Sequence, residues 1–310
     1  MTSNLLTISA FVITALSYVA LRPLAGRVGL VDMPGGRKDH MLPTPLIGGV
    51  GIYIGTLCIS LLLPIVREQY SLLLGISGFI LALGVVDDAR EVKVWIRIAL
   101  HAAAAWVMAM GAGNQLQSLG DILFMGPLLL GVLAVPITVF TTVGVINAVN
   151  MSDGLDGLSG GLTLIALGCL SIVALSAGHS AMFEFSTILI FSLLAFLALN
   201  FRFIRKKSAK IYLGDAGSTL LGFILAWLVI AATQGEAPMI APVTAPAPVT
   251  ARAIHPSAAT PALTATNDHV ANSRAPMCAT RRAGLIAVVL QSTVAATAVA
   301  TALTLSGFTA

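Results

Sequence analysis

The sequence predicts an all-α fold, a polytopic membrane helix bundle of about nine transmembrane helices with its amino terminus outside. Three observations carry that prediction. Hydrophobic residues make up 57% of the 310 and charged residues only 10%, against about 25% charged in a soluble domain. The apolar residues gather in runs long enough to cross roughly 30 Å of hydrocarbon. The basic residues fall in alternate connections between those runs. The net charge of +4 therefore reads as membrane topology rather than as a nucleic-acid surface.

The runs lie near residues 4–21, 46–66, 71–86, 94–111, 123–146, 158–177, 180–201, 218–232 and 284–307. The first follows no basic segment and has no convincing cleavage site, so it reads as a retained helix rather than a signal peptide. Connection 22–45 carries Arg22, Arg27, Arg37 and Lys38, and connection 87–97 carries Arg90, Lys93 and Arg97. Connection 202–217 carries Arg202, Arg205, Lys206, Lys207 and Lys210. The alternate connections near 67–70, 112–122 and 178–183 hold Arg67 alone. Lysine and arginine collect on the cytoplasmic side, which places the first set inside. The same parity brings Asp32, Asp39, Asp87, Asp88, Glu91, Asp153, Asp156 and Asp215 to that face, eight of the 13 acids. Counter-ions to a basic face would need only a few of them. Cys58, Cys169 and Cys278 have no metal-like spacing and read as packing residues. His101 reads as packed within its apolar run and His179 as solvated in an outer connection.

Three motifs could carry chemistry. Residues 147–161, NAVNMSDGLDGLSGG, set Asn147, Asn150, Asp153 and Asp156 three apart between two apolar runs. Acids at membrane depth are costly and mark functional sites. On a helix, Asn150, Asp153 and Asp156 would share one broad face. Gly154, Gly157, Gly160 and Gly161 weaken such a helix and admit close backbone approach to a ligand. A polar turn explains the glycines and acids but not the repeated spacing.

Residues 84–90, GVVDDAR, end an apolar run with adjacent Asp87 and Asp88. Their repulsion calls for a cation or a raised pKa, and Mg²⁺ suits one or two carboxylates shared with substrate phosphates. The alternative is a solvated helix end paired with Arg90 and Lys93. Residues 213–219, LGDAGST, open the run 218–232. Ser218 or Asp215 can cap that helix, and Gly214 and Gly217 free N–H groups at its positive end. Such a start binds phosphate, and Asp215 can hold its metal; a plain capping box is the alternative. Lys38 and His40 lie in a basic stretch suited to an anionic substrate or to acidic lipid. Three acidic clusters on one face of a membrane suit metal-assisted chemistry on a phosphate anchored at the bilayer surface.

With VGLVDMPGGRKDH, PLIGGVGIY, GVVDDAR, NAVNMSDGLDGLSGG, IYLGDAGSTLLGF and TQG in that order between about residues 5 and 245, the chain resembles the polyprenyl-phosphate N-acetylhexosamine-1-phosphate transferase family. The similarity is greatest to bacterial members. The resemblance implies an enzyme that transfers a sugar 1-phosphate from a UDP-N-acetylhexosamine, GlcNAc foremost, to undecaprenyl phosphate and releases UMP. It implies Mg²⁺, with Mn²⁺ able to replace it, and a site facing the cytoplasm at the bacterial inner membrane. The partners are then the two substrates and the lipid bilayer, with no nucleic acid. By motif position Asp87, Asp88, Asp153 and Asp156 would be catalytic, and Asp87, Asp88 and Asp215 would serve the metal. Asn150, Asp153 and Asp156 would line the nucleotide-sugar site. Lys38, His40, Gly214, Gly217 and Ser218 would bind substrate with Asn150.

The resemblance covers residues 1–245 as a membrane core and then stops. Residues 246–281 are rich in proline, alanine and threonine, and seven of the chain's 14 prolines lie between 238 and 276. By composition the tract is disordered, and it lacks the His-x-His-His motif and one further span that the family carries. The pattern resumes at Arg282-Ala283-Gly284, followed by a hydrophobic helix within 282–310. Either the tract is a natural linker, or it is the right DNA read in the wrong frame, which resequencing the gene decides. Without the histidine motif, weak or no transferase activity is expected of this chain. A transporter or a catalytically inert scaffold remains the rival class.

Overall fold

The computed structural model describes residues 2–32, 43–120, 127–201 and 209–234. Lys38, His40, the tract 246–281 and the helix expected within 282–310 lie outside the described residues. Among the described residues eight α-helices follow in order: α1 (Thr2–Val28), α2 (Gly48–Leu62), α3 (Pro64–Arg90), α4 (Val94–Gly111), α5 (Ala134–Ser152), α6 (Leu158–Ser176), α7 (Ser180–Asn200) and α8 (Gly214–Gln234). Among the described residues, seven helical segments are long and apolar enough to cross a membrane, and α2 is a shorter apolar helix of 15 residues. A two-residue ribbon, β1 (Val31–Asp32) against β2 (Thr44–Pro45), pairs Val31 with Pro45.

The bundle is organised around α8, which packs on α3, α5, α2 and α6. Past its first turn α8 is apolar all round, and a helix without a polar face belongs inside. Ala216, Leu220, Leu221, Phe223 and Leu228 are fully buried. The outward faces of the other helices stay apolar, with Val19, Trp106, Ile165 and Ile172 exposed, as lipid contact demands.

Small residues let helix backbones approach closely where lipid supplies no hydrophobic drive. Gly49 of α2 meets Gly217 of α8, and Gly84 of α3 meets Ala216. A Cβ on Gly84 would lie 2.7 Å from the Ala216 nitrogen. Gly84→Val is therefore expected to cost about 1–3 kcal/mol, read as a lowered melting temperature in detergent. An unchanged melt would show that α3 and α8 can part without loss.

The structure corrects three expectations. The outer connection placed at 67–70 is helical: α2 stops at Leu62, Leu63 is extended (φ −99°, ψ 105°), and α3 starts at Pro64. A proline ring forces the preceding residue out of the helical region yet suits a first helical position. The run placed at 123–146 becomes helical later, with a 3₁₀ turn at Gly131–Leu133 and then α5. Residues 128–130 instead bond back to 117–120, for example Leu128 N–H to Gly120 C=O at 3.0 Å. Cys58, read as packed, is exposed on α2.

Candidate active site

Four connections meet at one end of the bundle: α1–α2, α3–α4, α5–α6 and α7–α8. Backbone bonds tie the first to the last, since Gly48 N–H donates to Tyr212 C=O (2.9 Å) and Tyr212 N–H to Pro45 C=O (2.9 Å). The Tyr18 hydroxyl of α1 adds a bond to Gly48 C=O at 3.0 Å.

At the end of α3, Asp87 is buried. Its Oδ1 accepts from Val92 N–H at 2.7 Å, so the turn into α4 folds back on this carboxylate. Glu91 takes a left-handed backbone (φ 49°) to make that turn. Arg97, in the first turn of α4, donates from Nη1 to Asp87 Oδ2 and, at 3.0 Å, to Asp215 Oδ2. The other Asp215 oxygen accepts from the Asn150 amide of α5 at 2.9 Å. The same amide reaches Ser218 Oγ at 3.0 Å, and Ser218 Oγ donates to Gly214 C=O at 3.1 Å. One hydrogen-bonded chain thus runs across α3, α4, α8 and α5.

Asp88 is placed differently from its neighbour. Its two oxygens accept from Asp215 N–H (2.8 Å) and Ala216 N–H (3.1 Å), capping α8 from another helix. A carboxylate satisfies orphan amides and complements the positive helix end. The helix start expected to receive a phosphate is therefore held by Asp88, and neither Ser218 nor Asp215 caps it. Gly214 adopts φ +73°, and a Cβ there would sit 2.6 Å from Asp88 Oδ2, so glycine is needed for both conformation and room. Gly217 faces α2 and Ser218 is fully buried. Both residues, expected from the sequence to bind substrate, lie inside the bundle, where Ser218 Oγ accepts from the Asn150 amide.

The 147–161 motif is not one helix. Only Asn147 and Asn150 of its four polar repeats are helical, because α5 ends at Ser152 and Asp153 caps it, its N–H donating to Asn150 C=O at 3.1 Å. Gly157 (φ +79°) turns the chain into α6. Asn147 bonds back to Val143 C=O (2.8 Å). Asp153 and Asp156 therefore lie in the turn. Burial, and then the negative charges of Asp215, Asp88 and Asp156, push the Asp153 carboxyl up from 3.8 to about 8. A raised folded pKa means the unfolded chain binds fewer protons than the folded one between those values, so stability falls with rising pH across that window. The melting temperature of the ligand-free protein is expected to decline from pH 3.8 toward pH 8 and then level, and Asp153→Asn to flatten that decline. An identical pH profile in the variant would remove Asp153 as its source.

Two residues escaped the sequence reading as site residues. Arg97 counted only as a topology marker, although a cation beside an apolar run needs a partner. Asn200, 3% exposed at the end of α7, accepts from Gly157 N–H (2.7 Å) and donates to Ile211 C=O (2.9 Å). It clamps the α5–α6 turn to the segment leading into α8. Its one signal was a lone amide closing an apolar run.

Among the described residues, no group of three or more His, Cys, Asp or Glu is arranged to hold a metal ion. Asp88 is turned to α8, which leaves Asp87 and Asp215 converging on the one nitrogen of Arg97. Two carboxylates at a common point suit Mg²⁺, whose other positions are filled by water and substrate phosphates. The donor set fits.

The sequence model of glycosyl transferase family 4 matches residues 70–233, a stretch that contains every contact of the site except those from α1, α2 and the connection between them. The chain is also similar to the undecaprenyl-phosphate alpha-N-acetylglucosaminyl 1-phosphate transferase of Escherichia coli strain K12, with 34% identity over 78% of this chain and 67% of that protein. It is 35% identical to the protein of that name in Yersinia pestis, over 78% of this chain and 67% of that one. For the Haemophilus influenzae protein of that name the figures are 39%, 74% and 65%. A multi-pass helical bundle with Asp87, Asp88, Asp153, Asp156 and Asp215 gathered at one end, matched by this family over half its length, belongs to glycosyl transferase family 4.

Proposed function

We propose that this chain transfers N-acetylhexosamine 1-phosphate, GlcNAc-1-phosphate foremost, from its UDP-sugar to undecaprenyl phosphate and releases UMP. The reaction is the first membrane step of cell-surface glycan synthesis, on the cytoplasmic face of the bacterial inner membrane, with the amino terminus outside. The observation that carries this reading is the convergence of Asp87, Arg97, Asp215 and Asn150 at the end of the bundle that also holds Asp153 and Asp156. The activity named for the relatives supports it.

An oxygen of the lipid phosphate bonds to the β-phosphorus of the donor as the bond from that phosphorus to the bridging oxygen breaks. The electron pair leaves with UMP. Little covalent help is needed in such a transfer, so positioning and charge dominate. Mg²⁺, or Mn²⁺ in its place, held by Asp87 and Asp215, would supply charge neutralisation on the diphosphate. Asn150 fixes the orientation of Asp215 through a 2.9 Å bond. A proton shed by the lipid phosphate passes to an ionised carboxylate of the site. The acids of the site lie at one end of the bundle rather than along a path through it, which favours an enzyme over a transporter.

The test is UMP release and labelled lipid formation by the purified full chain, given labelled UDP-GlcNAc and undecaprenyl phosphate. Slow turnover is expected, because residues 246–281 lack the His-x-His-His motif. If the chain releases no UMP and binds no UDP-GlcNAc, the reading fails and an inert scaffold takes its place.

A further inference from the structure

We propose that Arg97 is a tethered counter-cation that holds the place of the divalent ion between Asp87 and Asp215 and exchanges with it. The inference rests on the cation reading above and adds that the Arg97 bridge and the ion exclude each other. One nitrogen, Nη1, donates both to Asp87 Oδ2 and, at 3.0 Å, to Asp215 Oδ2. A single positive centre thus sits where carboxylates from two helices converge, the position a bridging ion takes.

The exposures of the three side chains say which of them moves. Asp87 is 5% exposed and pinned from its other side by Val92 N–H, so it stays. Arg97 is 28% exposed and Asp215 39%, so the bridge opens on its solvent side. The Asp88 oxygens face the α8 amides, whereas the bonds of Arg97 Nη1 run to Asp87 and Asp215. Two nearby carboxylates drawn from water are costly without a compensating cation, and Arg97 supplies one from within the chain. Two cations at one point repel, so an ion entering between Asp87 and Asp215 turns the guanidinium outward.

Mn²⁺ binding to the purified full chain, followed by electron paramagnetic resonance, tests this without turnover. A site occupied most of the time by its own arginine binds more weakly in proportion to the fraction that is open, so Arg97→Gln is expected to bind Mn²⁺ about tenfold more tightly than the wild-type chain. Arg97→Lys keeps the charge and is expected to stay near wild type. Equal or weaker binding by Arg97→Gln overturns the exchange while leaving the ion site standing. Absence of Mn²⁺ binding in all three chains overturns the cation reading itself. Should Arg97→Gln fail to fold, ¹⁵N-arginine spectra of the wild-type chain decide, with the Arg97 signal assigned by its loss in Arg97→Lys. Release of a hindered guanidinium signal on adding Mg²⁺ supports the exchange, and an unchanged signal overturns it.

Discussion

Asp215→Asn is expected to lower UMP release on the order of 10²–10³-fold, the size of losing one preorganised electrostatic contact to a transition state. The asparagine keeps an oxygen for the Asn150 amide but loses the charge that Arg97 and an ion share. The Asp215 side chain is 39% exposed, so the variant should fold and melt near wild type. That separation of activity from stability is the informative part. Turnover retained by Asp215→Asn would move the chemistry away from the point where Asp87 and Asp215 meet.

Asp88→Asn is expected to do the opposite and act first on the fold. Both Asp88 oxygens accept backbone N–H groups, from Asp215 at 2.8 Å and Ala216 at 3.1 Å. An asparagine can accept one of these but must point its own amide at the other. A lost cap and an unmatched donor together cost about 1–3 kcal/mol, read as a lower melting temperature in protein stripped of divalent ions with a chelator. A residue that serves only a metal would leave that ion-free melt unchanged, and such a result would sink the capping role. Asp215 and Asp88, hydrogen-bonded to each other across two helices, thus carry separable effects.

Much of the helix content is legible in the sequence because hydrophobic length is a local property. Residues 94–111, 158–176 and 180–200 stand in the structure almost as the apolar runs predict. The gathering of acids at one end is also legible, since loop parity needs only an ordered list of runs. What the sequence hides is tertiary. Nothing local distinguishes Asp87 from Asp88, yet one faces Arg97 and the other closes the start of a helix more than a hundred residues away. The three-residue spacing of Asn147, Asn150, Asp153 and Asp156 suggested a helical face, but the glycines beside it decided otherwise, and Gly157 at φ +79° turns the chain. Asn200 was passed over because its partners, Gly157 and Ile211, come from two other segments.

The shortness of α2 bears on the bilayer itself. Its 15 residues make a helix of about 22 Å at 1.5 Å per residue, several ångströms less than a hydrocarbon layer of roughly 30 Å. One residue, Leu63, separates it from α3, and Leu61, Leu62 and Ile65 are exposed at that corner. Hydrophobic mismatch of this kind is met by local thinning of the lipid, at a cost that rises with acyl-chain length. The protein is therefore expected to melt higher in short-chain than in long-chain phosphatidylcholine. Membrane thickness would then act on this fold through the α2–α3 corner, at the end away from Asp87 and Asp215.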